Sequence, residues 1–217
     1  MTLRVNPNQL VVEGHEDKFA IANLLSRWVH WGDTEVEWPA KIFPAGGIDL
    51  ILDRDRISSR LKSSGLQRLG FVLDADADCD SRWQSIRNSV REHYADFPES
   101  LDPNGSIYVA DDGLRIGVWI MPDNRSAGML ETLLKHLVPS DGIKLSEYAR
   151  ESALKAREMG ARYKEIHFDK SILHTWLAWN DPPGVSLGHA VLQSMLDGDN
   201  VLASSFVSWF KALYEIE

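Results

Sequence analysis

The stretch that most constrains this chain is Leu69-Gly70-Phe71-Val72-Leu73, an unbroken apolar run that ends directly on Asp74-Ala75-Asp76. A short run of this kind reads as a buried strand. A strand that gives way at once to two acids delivers both to one end of a sheet, where loops carry function. Leu10-Val11-Val12 reads as a second buried strand and stops at Glu13-Gly14. From His15 the period changes: Ile21, Leu24, Leu25 and Trp28 fall at i, i+3, i+4 and i+7, a helix stripe. Glu16 and Asp17 sit in its first turn, where the helix dipole favours negative charge.

The same logic covers the rest of the chain. Val36 to Phe43 is expected as a strand, with Pro39 marking an edge position. Pro44-Ala45-Gly46-Gly47 turns the chain, and Ile48 to Leu61 is expected as a helix. Trp83, Ile86 and Val90 mark a further helix. Ser106 to Val109 and Leu114 to Met121, on either side of Asp111-Asp112-Gly113, read as a hairpin or two adjacent strands. Ser126 to Val138 is a helix with Leu130, Leu133, Leu134 and Leu137 on one face. Beyond Pro139 no strand is expected, only helices near Lys144 to Met159, Lys164 to Trp179 and Val201 to Tyr214. The β-α-β-α-β-β-α order predicts an α/β sheet with right-handed crossovers over residues 1–138. Residues 139–217 form a helical extension expected to pack on that core as one compact unit.

Composition narrows the function. With 32 acidic against 23 basic residues, the net charge of −9 argues against charge-driven coating of DNA or membranes. It leaves open nucleic acid at a metal-bearing site. A single cysteine, Cys79, excludes an intrachain disulfide framework and a multi-cysteine zinc site and fits a reducing cytoplasm. No apolar run approaches the ~18 residues of a membrane span. Met1 to Pro7 lacks the apolar segment of a secretory signal.

Several motifs fail. Gly184-Val185-Ser186-Leu187-Gly188 has the spacing of a hydrolase elbow, but Asn180-Asp181-Pro182-Pro183 precedes it instead of a strand, and no histidine follows His189. Ser186 is therefore read as an ordinary loop serine. The aspartates from Asp74 to Asp80 begin like a calcium loop, yet Cys79 and Ser85 occupy its glycine and glutamate positions. There is no Walker A loop, no G-x-G-x-x-G and no H-E-x-x-H.

Two acidic features survive: Glu13 with Asp17 after the first strand, and Asp74 with Asp76 after the third. In open α/β sheets the carboxyl ends of strands converge on one crevice. Carboxylates gathered there repel, and one or more must take up a proton unless a cation compensates. Oxygen ligands without thiolates favour Mg²⁺ or Mn²⁺. Asp78, Asp80 and Glu16 read instead as solvated residues.

Val12-Glu13-Gly14-x-x-Asp17 followed by Leu73-Asp74-Ala75-Asp76 resembles the Toprim domain of primases, topoisomerases and some nucleases. The resemblance is closest to small stand-alone Toprim-like proteins related to the overcoming-lysogenization-defect (OLD) nucleases. It extends through Ala45-Gly46-Gly47, Ile120 to Asn124 with Gly128 and Glu131, and Asp169-Lys170 with Trp176 to Trp179. It implies a Rossmann-like, mostly parallel sheet flanked by helices, and phosphodiester hydrolysis of DNA or RNA with Mg²⁺ or Mn²⁺. Glu13 matches the family glutamate, a metal ligand or general acid/base, and Asp17 the second acid of OLD-type nucleases. Asp74 and Asp76 match the D-x-D ligands. Glu131 matches the later acid, with Asp123 competing for that place, and Lys170 the lysine that stabilises charge on the phosphate. OLD nucleases carry an ATPase on the same chain. Here a separate ATPase or helicase-like partner would have to supply any nucleotide control.

A non-catalytic metal-binding module acting as a partner subunit is the second expectation. A haloacid-dehalogenase-like phosphatase, with Asp74 as nucleophile, ranks below it because Asp78 stands where that motif carries Thr or Val. Trp28, Trp83 and Trp209 are expected in the core, as are Trp176 and Trp179 ahead of a base-stacking role. Arg54, Arg56, Arg60, Lys62 and Arg68, with Arg82, Arg87 and Arg91, read as solvated faces before a phosphate track.

Overall fold

The computed structural model describes residues 6–217. The reading of the chain start therefore lies, for residues 1–5, outside the described residues. Five strands, β1 (Asn8–Val12), β2 (Lys41–Pro44), β3 (Arg68–Asp74), β4 (Ser106–Val109) and β5 (Arg115–Met121), form one sheet in the order β2-β1-β3-β5-β4. All neighbours are parallel except β4, which returns antiparallel to β5 as a hairpin edge. Helices flank both faces, so the architecture is α/β and Rossmann-like.

The pleat of each strand sorts its side chains between two cores. Val11, Leu69, Phe71, Leu73, Ile116, Val118 and Ile120 face one side, against α3 (Arg54–Leu61) and α4 (Cys79–Arg91). Leu10, Val12, Val72, Trp119 and Met121 face the other, against α1 (His15–Leu25) and the C-terminal helices. Each such large apolar side chain fully withdrawn from water contributes about 1.5–3 kcal/mol. The central strands are buried on both faces, which is why they read as continuous apolar runs.

The C-terminal part is not an appendage. It comprises α6 (Ile143–Glu158), α7 (Phe168–Ala178), α8 (Leu187–Leu192) and α9 (Ser204–Tyr214), and all four contribute to the core that holds β1. Gly70 and Gly117 are register partners in β3 and β5, and together they open a bare strip of sheet. A Cβ on Gly117 would sit 2.5 Å from Leu213 Cδ2, and one on Gly70 would sit 2.7 Å from the Tyr214 hydroxyl. The missing side chains let α9 lie directly on the sheet, where Tyr214 donates a hydrogen bond to the Gln9 carbonyl at 2.6 Å.

Several expectations need correction. The second strand occupies only Lys41–Pro44; residues 36–40 are turns and bends, and Val36 is 88% exposed. No partner buries that apolar side chain, so it gains nothing from strand pairing. The helix expected over Ile48 to Leu61 is two, α2 (Ile48–Ile51) and α3, because the Asp53 side chain accepts the Arg56 N–H and restarts the helix. The helix expected from Ser126 begins only at Leu130, as α5 (Leu130–Lys135). Asp123 takes the N–H groups of Arg125 and Ser126 into a local turn, and Gly128 adopts φ 137°. Ser186 is no ordinary loop residue: its hydroxyl accepts the His189 N–H and caps α8, a helix the sequence reading lacked. Trp28 is only partly buried, its indole donating to the Gly198 carbonyl, and Trp179 is 43% exposed against Tyr148.

Candidate functional site

Chain order places the site. β1 passes through α1 to β2 on one side of it, whereas β3 passes through α4 towards β5 on the other. The two crossover helices lie on opposite faces, so the gap between the carboxyl ends of β1 and β3 is a topological switch point, where ligands bind in such sheets. Glu13 leaves β1 and Asp74 ends β3, side by side at that gap.

A crevice of about 570 Å³ opens there, lined by Glu13, Asp17, Asp74, Asp76, Glu131 and Lys170. Every residue singled out as a ligand or catalytic group thus faces one space, although they span the chain from its first strand to α7. Asp123, the rival to Glu131, is spent on its own turn and does not line it. Asp78 caps α4, which pulls its carboxyl below the ordinary range through hydrogen bonds from Ser81 and the Asp80 amide.

The acids are stitched in series. Glu13 Oε1 accepts the Asp74 N–H at 2.9 Å, and Asp74 Oδ1 accepts the Leu130 N–H at 2.9 Å. Asp76, at φ 53°, exchanges two backbone hydrogen bonds of 2.8 Å with Gly128. A non-glycine residue in the left-handed region costs energy, here offset by that double bond and by Arg82. These links fix α5 beside β3 and aim Glu131 into the crevice. Asp17 Oδ2 accepts the Gly14 N–H at 2.6 Å, closing the first turn of α1.

Cations hold the other two acids. Arg82 Nη2 meets Asp76 Oδ2 at 2.7 Å while its Nε donates to the Asp74 carbonyl at 2.8 Å. Lys170 on α7 meets Glu131 Oε1 at 2.7 Å, and Glu131 is only 3% exposed. One turn along α5, Lys135 pairs with Asp169, so two oppositely directed ion pairs dock α7 beside the site.

Burial outweighs these bonds in the electrostatics. Desolvation raises the Glu13 carboxyl to about 7, with Asp17 and Asp76 adding repulsion against the amide of Asp74. Asp74 is driven well above the carboxylate range by burial first, then by Glu13, Asp17 and Glu131. Asp17 is raised by burial and by Glu131. Cys79 nearby is pushed up to about 11 by burial and adjacent aspartates, so its thiol stays protonated.

Among the described residues no three acidic, histidine or cysteine side chains already share one metal-holding position. Each acid has instead committed a single oxygen to a protein donor: Glu13 Oε1, Asp17 Oδ2, Asp74 Oδ1, Asp76 Oδ2 and Glu131 Oε1. The second oxygen of each has no protein donor among the described residues. An all-oxygen, anionic set that burial and mutual repulsion drive towards protonation fits the demand of a hard divalent cation.

Arg82 belongs to the site and not to the solvated arginines, and two histidines that no motif singles out, His15 and His167, join it. Both histidines line the crevice. His15 lay within the Glu13-to-Asp17 turn and was legible by proximity; His167 comes in from the start of α7, which only the tertiary fold reveals. Arg87 and Arg91 serve the loop after α4, donating to the carbonyls of Pro98 and Ala95.

Comparison with known proteins settles the family. The chain belongs to the DUF3226 family. That family, described as a protein of unknown function, matches residues 7–215 and so includes β1, the D-x-D turn and the helices through α9. No curated protein and no solved structure matches the chain. The DUF3226 match ends where α9 does, in agreement with the C-terminal helices belonging to the same core as the sheet.

Proposed function

We propose that the protein is a Toprim-type, Mg²⁺- or Mn²⁺-dependent phosphodiester hydrolase acting on nucleic acid. The observation that carries this reading is the convergence of Glu13, Asp17, Asp74, Asp76 and Glu131, with Lys170, on one crevice at the switch point of a parallel sheet.

Glu13, Asp17, Asp74, Asp76 and Glu131 would hold the cation or cation pair through their uncommitted oxygens. When bound, such ions supply positive charge to the attacking water and the leaving oxygen of a phosphodiester. In the metal-free crevice the Glu13 carboxyl sits at about 7, so it exchanges a proton near neutrality, and a bound cation would favour its carboxylate form. Lys170 presents a charge that changes little with pH, because Glu131 holds its ammonium in the protonated form. Arg82 keeps Asp76 and the turn behind Asp74 in place.

The test is cleavage of plasmid and oligonucleotide substrates with Mn²⁺, comparing wild type with Asp74→Ala/Asp76→Ala. Metal-dependent cleavage lost in the variant supports the reading. Equal activity in both, or none with any divalent metal, contradicts it.

One observation favours a second reading. Every acid already has one protein partner, so the crevice is internally consistent without chemistry, as a metal-binding module serving an ATPase or helicase-like partner would be. Metal binding without cleavage, together with recovery of such a partner, distinguishes it. The phosphatase alternative ranks below both, because Asp78 stands where that motif carries Thr or Val.

A further inference from the structure

The cations of α3 form a second pattern, outside the acidic crevice. Arg54 pairs with Glu92 at 2.6 Å, whereas Arg56 and Arg60, one helical turn apart, form no ion pair among the described residues. Burial first, and then the charge of Arg56, lowers the Arg60 pKa from its ordinary value. Arg56 and Arg60 thus place two like charges one turn apart on α3 without a carboxylate partner, in a chain whose net charge is −9.

Arg60 is also fixed in place. Its Nη1 donates to Gln9 Oε1 at 3.1 Å, and its guanidinium lies 4.7 Å from the centre of the Phe43 ring. Lys41 lies 4.9 Å from the same ring and adds a third cation. Arg56 and Arg60 face a small cavity of about 50 Å³ with Val11, Ile57 and Phe71 in its floor. A space of that size admits one or two water-sized atoms, and so an oxyanion's oxygen but not a nucleobase.

Its position ties this cavity to the crevice. Pro44 and Ala45 line the cavity, while Gly47 and Ile48 line the crevice, so the two open on either side of one turn. At ~3.8 Å per residue, the chain between them spans at most about 15 Å, within reach of a short stretch of nucleic acid backbone.

We propose that Arg56 and Arg60 receive a phosphate of the nucleic-acid strand that flanks the phosphodiester held at the acidic crevice. The inference rests on the nucleic-acid reading above and adds to it the substrate class: a strand with several phosphates, gripped independently of sequence, in preference to an isolated diester.

The test uses the full chain and two readouts. The first is fluorescence anisotropy of a labelled 15-nucleotide oligothymidylate in EDTA, over a salt series, for wild type, Arg56→Gln, Arg56→Gln/Arg60→Gln and Arg60→Lys. The double variant should bind about tenfold more weakly, with a salt slope lower by about 0.7, the increment for one phosphate contact on a single strand. The exposed Arg56→Gln should show part of that loss, and Arg60→Lys should retain most of the binding. Unchanged affinity and slope in the double variant overturn the inference, as does failure of the wild type to bind.

The second readout is Mn²⁺-dependent hydrolysis of bis(4-nitrophenyl) phosphate, a diester with no flanking phosphate. Equal rates for wild type and double variant, with slower oligonucleotide cleavage at sub-saturating substrate in the double variant, support the inference. Equal losses on both substrates overturn it. If the wild type hydrolyses neither substrate the crevice reading fails, while the anisotropy series still decides the arginine pair.

Discussion

Glu13 Oε1 accepts the backbone N–H of Asp74 at 2.9 Å, and this bond couples the ends of two neighbouring parallel strands. It also sets two desolvated carboxyls against each other, and that makes the metal-free protein sensitive to pH. Burial raises Glu13 from 4.5 to about 7, so the folded chain binds a proton more tightly than the unfolded one. The contribution of this group to stability is then fully present below about pH 4.5 and is lost as pH rises through about 7. Asp74 and Asp17 are shifted in the same direction. In EDTA the melting temperature should therefore fall between pH 5 and pH 8, and Mn²⁺ should restore it at pH 8 but add little at pH 5. A melt insensitive to both pH and Mn²⁺ would contradict this account.

Glu13→Gln separates stability from function. The amide keeps an oxygen for the Asp74 N–H but carries no charge. In EDTA at pH 8 the variant should be more stable than wild type by about 2 kcal/mol, with no such gain at pH 5. Cleavage with Mn²⁺ should fall by about 100-fold or more, since the acid/base group is gone. Thermal melts and initial rates on one oligonucleotide measure both effects.

Lys170→Met removes the partner of a carboxylate that is only 3% exposed. Without metal the fold should lose on the order of 3 kcal/mol or less, because Glu131 can take up a proton instead of remaining an unpaired charge. Mn²⁺ should raise the melting temperature of this variant more than that of wild type. Cleavage should drop by about 100-fold through loss of charge near the phosphate. A variant that cleaves at the wild-type rate removes Lys170 from the site.

Gly117→Ala probes the seat of α9. The new Cβ would lie 2.5 Å from Leu213 Cδ2 and 3.0 Å from Trp209 Cζ2, so the helix must shift. Overpacking of this kind costs about 2 kcal/mol, or roughly 4–8 °C in melting temperature for a chain of this size. The whole protein should still unfold in one transition, because α9 shares the core of β1 and α1. A separate early transition would mark the C-terminal helices as an independent unit.

The site was legible because its acids follow strands whose apolar runs are hard to misread. Glu13 and Asp74 follow Val12 and Leu73, both fully buried, and the parallel pairing of β1 with β3 does the rest. Glu131 was ambiguous with Asp123 because the difference lies in a turn: Asp123 folds back on Arg125 and Ser126, a local choice that helical periodicity does not report. The break at Asp53 and the short helix α8 escape periodicity for a similar reason, since both start from a single side-chain cap, Asp53 and Ser186. Arg82 could not be told from Arg87 and Arg91 by spacing alone. Only the left-handed turn at Asp76 brings that carboxylate round to meet it.

The central claim is that acids distant in sequence jointly hold divalent cations, and Mn²⁺ binding to the isolated protein, followed by calorimetry and by loss of the free-ion paramagnetic signal, measures it most directly. The account predicts saturable binding of one or two ions per chain at pH 8, weakening towards pH 5 and abolished by Asp74→Ala/Asp76→Ala. Binding that persists in that double variant, or no binding by the wild type, would contradict it.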